Sequence, residues 1–244
     1  MKVRTDGRRA DELRPVTLEM GYLKYAEGSC LASAGNTRVL CAASFEPRVP
    51  PFLVGSGQGW VTAEYGLLPR ATHQRTARET NGLRGRTQEI KRFLGRSLRA
   101  VCDLAALGET QLLVDCDVIQ ADGGTRTLAL TAGFCALRQA VTCLVARGRI
   151  ERSPVIEHVA ATSCGIVHGE LLLDLVYEED SQADTDMNLV LTESGRIVEV
   201  QATAEHVPFT RAEFDGLLEC ATRGIRSLFA LQRQALGETP KPGT

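Results

Sequence analysis

The chain has no uncharged apolar run approaching ~18 residues, so no membrane span is expected from the sequence. Its first residues, MKVRTDGRRADELRP, have no apolar h-region, so they do not read as a secretory signal and the expected location is the cytoplasm. None of its eight cysteines (Cys30, Cys41, Cys102, Cys116, Cys135, Cys143, Cys164, Cys220) forms a C-x-x-C pair. Each sits among apolar neighbours, so they read as reduced small hydrophobes and not as a disulfide framework. The four histidines, His73, His158, His168 and His206, are scattered, which argues against a zinc site. Net charge is only −2, so there is no global pull toward nucleic acid. No Pro- or Gly-rich linker or strong repeat divides the 244 residues, and 43% hydrophobic with 24% charged residues is ordinary for a globular chain.

Charge is present but segregated. From Gly66 to Ala100 there are nine Lys or Arg (Arg70, Arg75, Arg78, Arg84, Arg86, Lys91, Arg92, Arg96, Arg99) opposed by Glu79 and Glu89 alone. From Glu170 to Glu205 the sign reverses, with ten Asp or Glu against Arg196. Such a chain can hold a polyanion beside a divalent cation; two solvated surfaces explain the same pattern equally well.

Periodicity sets out the elements. Residues 28–44 read as two strands joined at Gly35-Asn36, and residues 60–68 as a further strand. The stretch from Pro69 to Gly85 has no apolar period and reads as an arginine-studded loop or frayed helix. Ile90, Phe93, Leu94, Leu98, Val101 and Leu104 then keep a helical period, with Thr87 as the expected N-cap and Glu89 in the first turn. The next strand, TQLLVDCDVIQA, carries Asp115 and Asp117 on one face, and the helix after it is apolar nearly all round, hence central. After Pro154 come the strands VIEHVAATSCGIVHG and ELLLDLVYEED, an acidic loop SQADTD, and a hairpin around Glu193-Ser194-Gly195. A helix from Thr210 to about Leu236 and a disordered tail, 237–244, close the chain. This is a mixed α/β (α+β) order in one domain spanning 1–244.

Two local features carry chemistry. In QADGGTRT, Gly123 and Gly124 tolerate φ > 0 immediately before the central helix, whose free N–H groups form a ready anion site. Thr125 adds a hydroxyl and Arg126 a planar fork suited to phosphate. In the acidic loop, Asp180 and Asp186, with Asp184 between them, are typical ligands for Mg²⁺ or Mn²⁺ that share coordination with a phosphate. Taken alone, each feature reads more readily as a tight turn or a hydrophilic loop. Together they describe phosphoryl transfer on a polyanion.

The stretches GSGQGWVTAEYGLLPRATHQR, GRTQEIKRFLGRSLRAVCDL, DCDVIQADGGTRT and YEEDSQADTDMNLV resemble the ribonuclease PH family, with similarity from about Arg4 to about Gln234. The resemblance implies a β-α-β-α fold like domain 2 of ribosomal protein S5, assembled as a homohexameric ring, a trimer of dimers. It implies a phosphate-dependent 3′→5′ exoribonuclease and tRNA nucleotidyltransferase. The substrates it implies are the 3′ ends of tRNA precursors, with other structured RNAs as a further class, and the products are nucleoside diphosphates. Carried over by motif, Arg86, Gly124, Thr125 and Arg126 bind inorganic phosphate, the co-substrate. Asp180 and Asp186 hold Mg²⁺ or Mn²⁺, and Arg86, Arg126, Asp180 and Asp186 form the catalytic set. Arg70, Arg75 and Arg78 match positions tied to RNA binding and ring assembly, and Arg92 and Arg96 extend that belt. The expected partner is RNA with a single-stranded 3′ end, without DNA or membrane.

Three departures stand out. Ala202 and His206 replace family glycines, GTRTLALTAG puts more bulk into the central helix than the usual GTRTASITGA, and the ETNGLRG connection is short. The alternative of a non-catalytic RNA-binding subunit in an exosome-like ring is disfavoured because Arg86, Arg126, Asp180 and Asp186 are all retained. A hydrolytic two-metal nuclease would need a denser carboxylate set.

Overall fold

The computed structural model describes residues 4–80, 82, 84–205 and 207–239. Five strands, β1 (Val16–Met20), β2 (Gly28–Ala34), β3 (Thr37–Glu46), β4 (Trp60–Leu67) and β5 (Gln111–Gln120), form one sheet in the order β1-β2-β3-β5-β4. β4 lies parallel to β5 and the other pairs are antiparallel. A second, antiparallel sheet has the order β7-β6-β8-β9, from β6 (Val159–Val167), β7 (Glu170–Leu173), β8 (Thr185–Thr192) and β9 (Ile197–Ala204). Helices α1 (Gly85–Arg99), the short α2 (Leu104–Leu107), α3 (Thr125–Ala146), the single-turn α4 (Tyr177–Asp180) and α5 (Arg211–Leu236) complete the α/β fold.

The central helix is α3, as its all-round apolar character predicts. It packs against β2, β3 and β5 on one side and β6 on the other. Along β5, Leu112, Val114, Cys116 and Val118 turn inward while Asp115 and Asp117 take the opposite face. α3 is long and apolar enough to cross a membrane, but most of it is buried inside the protein. Full burial of each of Leu130, Phe134 and Leu137 stabilises the fold by about 1.5–3 kcal/mol. α5 covers the second sheet. Its N-terminus is closed by Thr210 and Glu213, each accepting the other's backbone N–H, and Gly237 (φ 67°) ends it.

Several expectations need correction. α1 begins two residues before Thr87, with Arg84 as the N-cap in extended conformation. Thr87 is therefore buried and donates instead to Glu79 (3.0 Å), and Glu89 lies beyond the first turn. Residues Tyr177–Asp180, read as strand, form α4, because the sheet pairing of β7 stops at Leu173. Asp186 sits within β8, opposite Thr203, and not in a loop. β1 escaped the sequence reading: it is a five-residue edge strand, short although Val16, Leu18 and Met20 alternate with the exposed Thr17 and Glu19. In the expected tail, the Glu238 carboxylate accepts from Arg138 (2.8 Å) and contacts His158 (2.7 Å). Residues 240–244, together with Asn81 and Leu83 of the short connection and His206, lie outside the described residues.

Candidate active site

The glycine turn between β5 and α3 is left-handed at both residues, φ 76° at Gly123 and 63° at Gly124. Both have structural reasons for lacking a Cβ. At Gly123 one would run into the Leu175 carbonyl and lie 2.8 Å from Val176 C and 2.9 Å from Tyr177 N. At Gly124 it would lie 2.7 Å from Arg14 Nη2. The glycines thus press the turn onto the segment that leads into α4. Gly124 is the N-cap of α3 and no side chain caps that helix, so its first N–H groups remain available to an anion.

Three elements converge around this turn. Tyr65, from β4, donates to Thr125 Oγ1 (2.9 Å), which leaves the threonine's own proton free for a ligand. Burial raises the Tyr65 pKa, against the pull of Thr125, Arg86 and Arg126, and keeps it a neutral donor. Arg126 Nη1 donates to Glu89 Oε1 on α1 (3.0 Å) and to Gln201 Oε1 on β9 (2.6 Å). Its guanidinium is mostly buried, at 12% side-chain exposure, so its direction is set by those two partners.

Asp180 lies at the end of α4 and Asp186 on the adjoining strand. Burial raises the Asp180 pKa and Glu205 adds to this, opposed by Arg86 and Arg126. Burial, then Asp180 and Glu205, raise that of Asp186, with Arg126 opposing. Asp180 is therefore within electrostatic reach of Arg86 and Arg126, and Asp186 of Arg126 and Asp180, whose carboxylate repels it. Glu205 joins them because its backbone N–H donates to the Asp184 carbonyl (2.9 Å). Among the described residues, no three His, Cys, Asp or Glu side chains converge as a metal cage. Two repelling carboxylates beside an anion site still fit Mg²⁺, which keeps several waters and takes one or two carboxylates plus substrate phosphate.

The arginine belt is less uniform than its sequence suggests. Arg75, Arg78 and Arg92 are exposed. Arg70 donates to the His73 carbonyl and lines a cleft with Asn36, Asp122 and Tyr177. Arg96 is engaged by Glu199 on β9 (2.7 Å). Sequence reasoning missed Tyr65 and Gln201, which belong to ordinary-looking strands, Glu205 just after β9, and the Glu89 contact. It also missed Arg14 and Asp174, a buried pair (2.7 Å) next to the turn. The one available signal was a lone Asp inside the apolar run LLLDLV.

With this geometry in place, comparison with known proteins defines the class. Residues 12–142 match the model of the 3′ exoribonuclease family, domain 1, and residues 158–224 that of the 3′ exoribonuclease family, domain 2; the chain belongs to this family. Among its relatives is the ribonuclease PH of Moorella thermoacetica, 56% identical over 97% of this chain and 95% of that protein. Another is the ribonuclease PH of Methylobacterium sp. strain 4-46, 57% identical over 96% of this chain and all of that one. The fold is shared with rice (Oryza sativa) Rrp46, with TM-score 0.79 and 22% identity over 96% of this chain and 100% of that one. It is shared also with an Archaeoglobus fulgidus exosome chain solved with RNA bound to the active site, with TM-score 0.80 and 24% identity over 93% of this chain and 91% of that one.

Proposed function

We propose that the protein is a phosphate-dependent 3′→5′ exoribonuclease that trims transfer RNA precursors; its 56% and 57% identity to two proteins named ribonuclease PH supports the reading. The observation that carries the reading is the meeting of an uncapped helix N-terminus bearing Arg126 with the Asp180–Asp186 pair.

Inorganic phosphate is the nucleophile. The first N–H groups of α3, the Thr125 hydroxyl and the Arg126 and Arg86 guanidiniums bind it and offset its charge. One phosphate oxygen forms a bond to the phosphorus of the last phosphodiester, the bond from that phosphorus to the 3′ oxygen breaks, and the 3′ oxygen leaves with a proton. A nucleoside diphosphate and an RNA one residue shorter result. Mg²⁺ or Mn²⁺ held by Asp180 and Asp186 supplies neutralisation of charge on the reacting phosphate groups when bound. The exposed arginines Arg75, Arg78 and Arg92, with Arg70 beside its cleft, hold the backbone of the single-stranded 3′ end without base readout. Glu89 and Gln201 hold Arg126 in place. We further propose that the chain works in the cytoplasm as a homohexameric ring, a trimer of dimers, which the archaeal exosome likeness supports at the level of fold.

The test is incubation with Mg²⁺ and a 3′-tailed RNA, with and without phosphate. Nucleoside diphosphates are expected, and only with phosphate. Nucleoside monophosphates released without phosphate would overturn the phosphorolytic reading.

A further inference from the structure

Thr37, fully buried at the start of β3, lies under the glycine turn and is not part of the cradle itself. Its hydroxyl donates to the Gly123 carbonyl (2.7 Å) and accepts from the Asp122 N–H (3.0 Å). Arg14 approaches from beside it, donating from Nη1 to the Asp122 carbonyl (2.6 Å) and from Nη2 to that of Gly123 (3.4 Å). In a trans peptide the N–H points opposite its C=O. Holding the Asp122 and Gly123 carbonyls against this buried clip therefore turns the Gly123 and Gly124 N–H groups away from it. Among the described residues neither of those amides donates a hydrogen bond.

The clip extends to the acidic half of the site. Arg14 donates to the Asp174 carboxylate from its backbone N–H (2.8 Å), Nε (3.0 Å) and Nη2 (2.7 Å). Asp174 is one of two non-glycine residues with positive φ (54°) among those described, a conformation that persists only where its surroundings enforce it. It begins the segment that presses on Gly123 and ends at Asp180. A buried ion pair is a weak source of stability compared with apolar packing of the same volume. Its placement between the anion turn and the carboxylate segment points to a geometric role.

We propose that Thr37 and Arg14 are positioning residues: they aim the consecutive amides of the glycine turn at the attacking phosphate and so set its affinity without touching it. This rests on the phosphorolytic reading above. The discriminating variant is Thr37→Val, which keeps shape and burial but removes the hydroxyl's bonds to the Gly123 carbonyl, the Asp122 N–H and Arg14 Nη1 (3.3 Å); Thr37→Ser restores them. Phosphorolysis of a 3′-tailed RNA, with phosphate varied at saturating RNA and then the reverse, should show the KM for phosphate raised about fivefold in Thr37→Val, the equivalent of one ordinary hydrogen bond. The KM for RNA should stay unchanged, and Thr37→Ser should return the phosphate KM to the wild-type value. Calorimetric titration of inorganic phosphate without RNA should show the same loss of affinity. An unchanged phosphate affinity in Thr37→Val, or equal losses for phosphate and RNA, would overturn the proposal. A wild-type protein that binds phosphate but releases no nucleoside diphosphate would overturn the phosphorolytic reading instead, and the calorimetric comparison would still decide the role of Thr37.

Discussion

Gly123→Ala tests the close approach on which the site depends. An alanine there would have to keep φ near 76°, where L-residues lose about 1–2 kcal/mol. Its Cβ would also run into the Leu175 carbonyl oxygen and lie 2.8 Å from Val176 C and 2.9 Å from Tyr177 N, and backbone cannot swing aside as a side-chain tip can. Overpacking of this kind costs about 1–3 kcal/mol, for a total of about 2–5 kcal/mol out of a typical ~5–15 kcal/mol of stability. At about 2–4 °C per kcal/mol for a chain of this size, the melting temperature should fall by about 4–20 °C. Gly195→Ala is the internal control. Its φ is 83°, but a Cβ there meets nothing within 4 Å, so it carries only the backbone cost. Both variants gain the same small benefit from a stiffer unfolded chain, which cancels in the difference. Thermal melts of the two variants by circular dichroism should therefore differ by about 1–3 kcal/mol, with Gly123→Ala the worse. Its phosphorolysis should fall further than its folded fraction, because relief of the clash displaces the segment bearing Asp180. Equal melting of the two alanines would refute the close approach.

Three further outcomes are expected. Arg126→Lys loses the planar fork that reaches Glu89 and Gln201 together, so kcat/KM for phosphate should fall about 10–100-fold, as for a lost charge-assisted bond, while RNA affinity measured by fluorescence anisotropy holds; parallel loss of RNA affinity would remove Arg126 from the phosphate site. Asp180 and Asp186 bind protons more tightly folded than unfolded, so in metal-free buffer stability should decline as pH rises through their raised pKa values. Asp186→Asn should flatten that decline and abolish both Mn²⁺ binding and turnover; an unaltered pH–stability curve would contradict the mutual repulsion of the pair. Finally, Arg92→Ala should reduce the slope of log K for RNA against log salt by about 0.7, whereas Arg96→Ala, whose guanidinium Glu199 already holds, should change it less; equal effects would mean that the Arg96 ion pair opens at no cost when RNA binds.

Much of the fold was legible because it rests on short-range rules. The Gly35-Asn36 hairpin, the alternation along β5, the apolar girth of α3 and the span of α5 from about Thr210 to Leu236 each rest on patterns among near neighbours. The errors fell where local signals conflict with neighbours. Thr87 looked like an N-cap, but the chain already turns helical at Gly85, and Thr87 is buried against Glu79. The apolar run LLLDLVY looked like one strand, yet Asp174 breaks the pairing by taking a positive φ and the chain winds into α4.

The sequence by itself determined the order of most elements, the family motifs, and the residue types that meet at the glycine turn and the acidic pair, since periodicity, capping and turn chemistry act between near neighbours. Only the tertiary structure decided which charges are committed and which are free. Arg126 is held by α1 and β9, Arg96 by β9, and Arg14 by an aspartate 160 positions away, whereas Arg75, Arg78 and Arg92 face solvent. Two charges interact through distance and burial, and a contact between residues so far apart in the chain leaves no local pattern in either segment.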